Sequence, residues 1–172
     1  VHPDTVLQIR GCEIQGFSVG VDAFHCSRLS IESCPLIAQN GTGISFDLCV
    51  ADVIDNLLSG NTLGVNIMRP QDLQFNTMHI ERNTIQDGQT GIRFDTNIIQ
   101  FPGEAAPKIE VHKNNLTGHS APGTYGIQVM APFPLITIDA TLNWWGAPTG
   151  PNSPLNPGAN PNADNISEGV NA

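Results

Sequence analysis

Charged residues are scarce in this chain of 172 residues: they make up 13% of the sequence, whereas globular domains usually contain about 25%. Seven Lys and Arg residues stand against 16 Asp and Glu residues, and the formal net charge is −9. Because a protein binds phosphate backbones through a basic patch, this balance argues against a nucleic-acid partner. It also disfavours acidic polymers as ligands, unless a metal ion bridges the two surfaces.

Long apolar runs and helical periodicity are missing as well. No stretch of about 18 apolar residues occurs, so the sequence predicts no membrane span, and no window has the pattern of a long amphipathic helix. The four cysteines form no CxxC pair, which excludes zinc-ribbon and thioredoxin-like motifs. The chain begins at Val1 without a basic leader, so we expect any signal peptide to have been removed or to lie outside this sequence.

A six-residue pattern recurs along the chain: an apolar residue, two unrestricted residues, Asn or Cys, one unrestricted residue and a second apolar residue. The intervals between successive fourth positions are 22, 22, 27, 31 and 29 residues. A repeat of this length with strand-like alternation predicts stacked coils, because a single coil cannot bury its apolar face alone. The fourth positions are occupied by Cys12, Cys34, Asn56, Asn83, Asn114 and, in a degenerate last copy, Asn143.

A second pattern, Gly-apolar-x-apolar, follows each of the first five copies and begins at Gly20, Gly43, Gly64, Gly91 and Gly126. Two patterns that repeat together predict an all-β parallel solenoid of about six coils, roughly 30 Å tall at about 4.8 Å per coil. One interior column should hold Ile9, Ile31, Val53, Ile80 and Val111, and another Val21, Ile44, Val65, Ile92 and Ile127. The Cys and Asn residues should form a ladder at a turn, where stacked amides hydrogen-bond along the column.

The cysteines follow the same period. Cys12 and Cys34 are one coil apart, as are Cys26 and Cys49. We expect small, buried free thiols at these positions. A disulfide between stacked coils is the alternative; the distance allows it, although the side-chain directions are less suitable.

The repeats over roughly residues 5–145 resemble the right-handed parallel β-helix of pectate-lyase-like proteins. The segment 143–151, Asn-Trp-Trp-Gly-Ala-Pro-Thr-Gly-Pro, is similar to the one that closes many secreted bacterial β-helix proteins. The resemblance implies coils over residues 1–142, a Trp-, Pro-, Gly- and Asn-rich capping tail over residues 143–172, and an extracellular or cell-surface location. Because the chain stops soon after residues 167–170 and its first coil begins abruptly, we expect a trimmed or partial chain.

The family includes lyases, hydrolases, epimerases, adhesins and carbohydrate-binding proteins, so the fold does not select an activity. The catalytic motifs typical of polygalacturonases do not occur in the sequence, and no Arg or Lys lies in a carboxylate cluster that would suit a pectate-lyase mechanism. We therefore expect a module without catalysis of its own that binds polysaccharide or another surface component. The alternatives are a polysaccharide lyase or glycoside hydrolase, and an architectural segment of a fibre or surface layer that assembles into oligomers.

One group of outward side chains could carry chemistry. His79 and Glu81 flank Ile80, and Glu110 and His112 flank Val111, so the stacking should place His79 beside Glu110 and Glu81 beside His112. Asp52 should precede them by one coil and Asp139 should follow by one coil. Such a face could bind a divalent cation or perform acid–base work on a glycan; the alternative is that its cross-strand pairs only stabilise the surface. Insertions at residues 68–77 and 95–108 could form the walls of a groove beside it.

The capping tail offers weaker candidates. Trp144 and Trp145 could stack on sugars if they are exposed, although at least one of them is expected to cover the last coil. No metal ligand is assigned, but an oxygen-rich tail could hold Ca²⁺. We expect instead that its polar residues cap the solenoid through loops: Asn152, Asn156, Asn160, Asn162, Asp164 and Asn165.

Overall fold

A computed structural model describes residues 6–68, 77–95, 108–130, 137–153, 163–166 and 170–171. These ranges contain strands and turns without a helix, and therefore no helix that is long and apolar enough to cross a membrane. The strands are β1 (Val6–Arg10), β2 (Glu13–Gln15), β3 (Val19–Phe24), β4 (Arg28–Glu32), β5 (Leu36–Ala38), β6 (Thr42–Asp47), β7 (Ala51–Ile54), β8 (Leu57–Ser59), β9 (Leu63–Ile67), β10 (Thr77–Glu81), β11 (Thr84–Gln86), β12 (Thr90–Phe94), β13 (Lys108–His112), β14 (Asn115–Thr117), β15 (Tyr125–Val129), β16 (Thr137–Asp139) and β17 (Val170–Asn171).

From β1 to β16 every third strand joins the same parallel sheet, which is the topology of a parallel β-solenoid, and β17 is added beside β16. The first sheet has the order β1-β4-β7-β10-β13-β16-β17, the second contains β2, β5, β8, β11 and β14, and the third contains β3, β6, β9, β12 and β15. The predicted all-β solenoid is confirmed. Five coils contribute a strand to each of the three sheets, and the sixth contributes β16 to the first sheet; within the described ranges the count is therefore slightly below the six coils expected.

The predicted interior columns form part of the core, and Ile9, the first residue of one column, is only partly buried. Ile31 pairs with Val53, Val53 with Ile80, and Ile80 with Val111, and all four side chains are fully buried. The column that runs from Val21 to Ile127 is likewise in register and buried. Because successive side chains of a strand point to opposite faces, this register also fixes which residues point to the outside.

The predicted ladder is present at the turn between the first and second sheets. The amide oxygen of Asn83 accepts bonds from the backbone N–H and the side-chain amide of Asn56, each 3.0 Å long. The side-chain amide of Asn83 in turn donates to Asn114 Oδ1 (3.0 Å) and to the backbone oxygen of Val53 (2.8 Å). Asn143 continues the ladder beyond Asn114. These bonds satisfy polar groups that the turn buries.

The expectation of free thiols was wrong for one of the two cysteine pairs. Cys26 and Cys49 form a disulfide between stacked coils, with Cα atoms 4.9 Å apart. Cys12 and Cys34 are free; Cys34 is buried, but Cys12 is exposed because it lies in the first coil. Sequence spacing placed each pair correctly, but it could not give the side-chain direction that lets one pair bond.

Besides loops, the tail contributes core side chains and a strand to the end of the solenoid. Trp145 is buried in the core, as expected for one of the two tryptophans, and Ile166 joins the same cluster. Asn165 donates from its side-chain amide to three backbone oxygens, those of His119, Ala121 and Thr124. Val170 pairs with Ile138 and so adds a strand to the first sheet. The predicted capping residues Asn156, Asn160 and Asn162 lie outside the described residues.

Candidate functional site

The polar face predicted on the first sheet is formed by the outward positions of β7, β10, β13 and β16. His79 is in register with Glu110 and with Asp52, Glu81 is in register with His112, and Glu110 is in register with Asp139. These positions agree with the expected stacking. Because the residues sit in paired strands, the backbone of the sheet holds their Cα atoms at fixed spacings.

His79, Glu81 and Glu110 form the tightest group on this face, and we call them the His-Glu-Glu cluster. His79 Nδ1 lies 3.3 Å from Glu110 Oε2. One ligand atom from each of the three side chains lies within 4.8 Å of the others. All three are partly shielded from solvent, which strengthens their electrostatic interactions relative to fully exposed groups.

The remaining residues of the predicted face make other contacts. His112 Nε2 lies 3.1 Å from Asp139 Oδ1, so the side chain of this histidine reaches diagonally to the next coil. Glu81 Oε2 lies 3.1 Å from Arg82 Nη1. The predicted neighbours Glu81 and His112 are therefore adjacent in the sheet, but their side chains contact different partners.

Asp52 lies at the edge of the His-Glu-Glu cluster and is neutralised by an arginine. Its Oδ2 atom accepts a bond of 2.8 Å from Arg28 Nε and a second bond from the same guanidinium. Its Oδ1 atom is buried and has no hydrogen-bond partner among the described residues. A buried carboxylate oxygen without a partner is energetically unfavourable, by about 1–3 kcal/mol.

Three carboxyl groups on or near this side of the solenoid have lowered pKa values. The pKa of Asp139 is lowered first by the hydroxyl of Thr141 and then by His112. Ser30 and then Arg10 lower the pKa of Glu32. The pKa of Asp55 is lowered by Arg82, which donates to it from Nε (2.8 Å) and Nη2 (2.9 Å). Hydrogen bonds and ion pairs thus keep these groups ionised, whereas a general acid needs a raised pKa.

The two candidate tryptophans differ in their surroundings. Trp145 is 3% exposed and packs in the core, so its ring is not available to a ligand. Trp145 is therefore withdrawn as a candidate sugar-binding residue. Trp144 is 48% exposed and bridges to Asn115 at the end of the second sheet. Trp144 and the polar side chains beside it form what we call the second-sheet strip: Ser59, Thr84, Gln86, Asn115, Thr117 and Trp144. In this strip Asn115 Oδ1 is buried and has no hydrogen-bond partner among the described residues.

A buried His–Asp pair was not predicted from the sequence. His119 Nδ1 lies 2.7 Å from Asp164 Oδ2, and the backbone N–H of His119 donates to Asp164 Oδ1 (2.8 Å). Both residues are almost fully buried. The same kind of backbone bond occurs between Asn40 and Asn61 Oδ1 (2.9 Å), but the equivalent position of coil four is Gly88, which has no side chain, so the two pairs are separate. The sequence carried one signal for this pair, which was the position of His119. His119 lies five residues after Asn114, just as Asn61 lies five residues after Asn56.

Two sequence predictions fall largely outside the described residues. The insertions at 68–77 and 95–108, proposed as walls of a groove, are described only at Met68, Thr77, Asp95 and the backbone of Lys108. The face itself is thus defined by its strands, and its chemistry is derived from the strand residues alone.

The fold places the chain in the class of parallel β-solenoid proteins. Comparisons of the chain with protein-family models, with curated proteins and with solved structures found no match.

Proposed function

We propose that the protein is a secreted or cell-surface β-helix module that binds polysaccharide through the second-sheet strip and has no catalytic activity of its own. The observation that carries this proposal is the exposed ring of Trp144 at the end of a row of hydrogen-bonding side chains. An aromatic ring presents a flat apolar face to a sugar, while amides and hydroxyls bond to its hydroxyl groups.

The repeating architecture suits a polymeric ligand. Thr84 pairs with Asn115, and Gln86 pairs with Ser59 and with Thr117, so polar groups recur over coils three to five, about 4.8 Å apart. Leu57 stands opposite Thr84 in coil three, so the polar strip is confined to this end of the second sheet. A linear polymer lying along the solenoid axis would meet equivalent groups at successive coils. Each contact is weak, but contacts repeated along one chain add to the affinity.

Two further observations support the location and the relationship. The disulfide between Cys26 and Cys49 is typical of proteins in an oxidising, extracellular compartment. The Asn-Trp-Trp-Gly segment behaves as a cap, since Asn143 extends the ladder and Trp145 covers the core. Both fit the proposal that the chain is related to secreted pectate-lyase-like β-helix proteins.

A glycan-active enzyme is the second candidate, because His79, Glu81 and Glu110 converge on the first sheet. The two candidates also use different sheets, which makes them separable by mutation.

The test is a glycan-array screen with the wild type, followed by titration of the best ligand against Trp144→Ala and Phe17→Ala. Phe17 is a matched control because its ring is also exposed, but in the first coil. We expect Trp144→Ala to lower the affinity about tenfold, or about 1.4 kcal/mol, while Phe17→Ala leaves it unchanged.

The absence of any glycan ligand, or equal losses in both variants, would contradict the proposal. Incubation of the ligand with the wild type, with detection of reducing ends and unsaturated products, tests the second candidate. Turnover that is abolished by Glu81→Gln or Glu110→Gln would establish the enzyme instead.

A further inference from the structure

The His-Glu-Glu cluster has the composition of a transition-metal site. One imidazole nitrogen and two carboxylate oxygens are ligands for borderline ions such as Zn²⁺, which is commonly held by three protein groups with a fourth position open. Ca²⁺ requires six to eight oxygen ligands, which this cluster does not offer. We propose that His79, Glu81 and Glu110 bind a divalent transition-metal ion of the Zn²⁺ type, independently of the proposed glycan binding.

The distances between the donor atoms support this assignment. Ligands about 2.0–2.2 Å from Zn²⁺ at tetrahedral angles lie about 3.3–3.6 Å from one another. His79 Nδ1 and Glu110 Oε2 are 3.3 Å apart, so this pair already has the spacing of two ligands of one ion. The Glu81 oxygen lies within 4.8 Å of both, so a small side-chain adjustment brings it into the first shell.

The fold holds the three residues on rigid elements. His79 and Glu81 occupy alternate positions of β10 and point to the same side, about 7 Å apart at Cα. Glu110 lies directly opposite His79 in the paired strand β13. A site on paired strands is better defined than one on loops, which lowers the entropic cost of binding an ion.

The surrounding charges favour a cation. The cluster contains the carboxyl groups of Glu81 and Glu110 beside one imidazole, and a divalent ion is attracted to such acidic groups. Arg82 contacts one oxygen of Glu81, but it is also held by two bonds to Asp55. Asp52 stands in register with His79, and its Oδ1 atom is buried and has no hydrogen-bond partner among the described residues.

The test is isothermal titration of the full chain with Zn²⁺, together with the visible spectrum of the Co²⁺-substituted protein. All proteins carry Cys12→Ser, which removes the exposed free thiol as a competing ligand. We expect one ion per chain and an intense spectrum of low-coordinate Co²⁺. His79→Gln, Glu81→Gln and Glu110→Gln should each lower the affinity at least tenfold, and Ca²⁺ should bind much more weakly than Zn²⁺.

His25→Gln is the matched control. It removes an exposed histidine that directly follows β3 in the third sheet, away from the cluster, and should leave the affinity for Zn²⁺ unchanged. Thermal unfolding in a metal chelator verifies that all variants fold. Two results would overturn the proposal: no saturable binding of Zn²⁺ by the wild type, or equal weakening by His25→Gln and His79→Gln. Glycan titrations with and without the chelator keep this result separate from the proposed function.

Discussion

Glycine recurs in one column of the third sheet because the coils approach too closely for a side chain. A Cβ atom added at Gly64 would lie 2.4 Å from the backbone oxygen of Gly91 and 2.9 Å from Ile85 Cγ2. The equivalent atoms at Gly20, Gly43 and Gly91 would lie 2.6–2.8 Å from the oxygen of the next glycine. The second sequence pattern is therefore a steric requirement of stacking.

Gly64→Ala should destabilise the protein by about 3 kcal/mol, because the clash involves backbone that can move only if two coils separate. Gly60→Ala is the matched control. Gly60 has φ +62°, but nothing lies within 4 Å of its added Cβ, so the substitution should cost about 1 kcal/mol. Chemical denaturation of both variants measures the difference, and equal losses would contradict the steric explanation.

Single residues were predictable from the sequence where the repeat constrained them. Asn56, Asn83 and Asn114 were assigned to a ladder from spacing alone, and their bonds confirm it. His119 and Asp164 were not predicted because the residue type at the position of His119 changes from coil to coil, and because Asp164 comes from a distant part of the tail. A contact over 45 residues leaves no local periodic signal.

At the scale of elements, β16 begins the sixth coil and ends at Asp139. The cause of the lowered pKa of Asp139 can be tested. Asp139 Oδ1 accepts a bond of 2.8 Å from the hydroxyl of Thr141 and lies 3.1 Å from His112 Nε2. These contacts lower the pKa of Asp139 below its ordinary value. The ionised form is thus favoured in the folded state. Its contribution to stability is present above the ordinary carboxyl pKa and is lost as the pH falls through the lowered value.

Thr141→Val should raise the pKa of Asp139 toward its ordinary value, since the hydroxyl is the largest cause of the shift. His112→Phe should raise it by a smaller amount. An NMR titration of the Asp139 carboxyl in the wild type and in both variants measures these changes. If the pKa is the same in the wild type and in Thr141→Val, the assigned cause is wrong.

Strand elements were predictable from alternation, but the cysteine pairing and the tail were not. The register of β10 with β13 follows from matching apolar positions, which also placed His79 beside Glu110. The Cys26–Cys49 disulfide depends on side-chain direction at a turn, and the pairing of β17 depends on where a long tail returns. The periodicity places Cys26 one coil before Cys49 but does not show whether they bond, and it carries no signal for the pairing of β17.

At the scale of the whole molecule, each coil is stabilised mainly by its neighbours. Coil four, which contains β10, β11 and β12, is paired on one side with β7, β8 and β9 and on the other with β13, β14 and β15. Because stability in a solenoid depends on the interfaces between adjacent repeats, damage inside coil four should spread to coils three and five. The proposed metal and glycan sites both depend on the same register.

Thermal unfolding of four variants in a metal chelator tests that register most directly. Ile80→Asp and Ile92→Asp would each bury an unpaired charge in the core and should cost several kcal/mol, roughly 3–5. Glu81→Ala and Arg93→Ala change the adjacent outward positions and should cost about 0.5 kcal/mol or less. Large losses at the two inward positions alone would support the account, and equal sensitivity at inward and outward positions would contradict it.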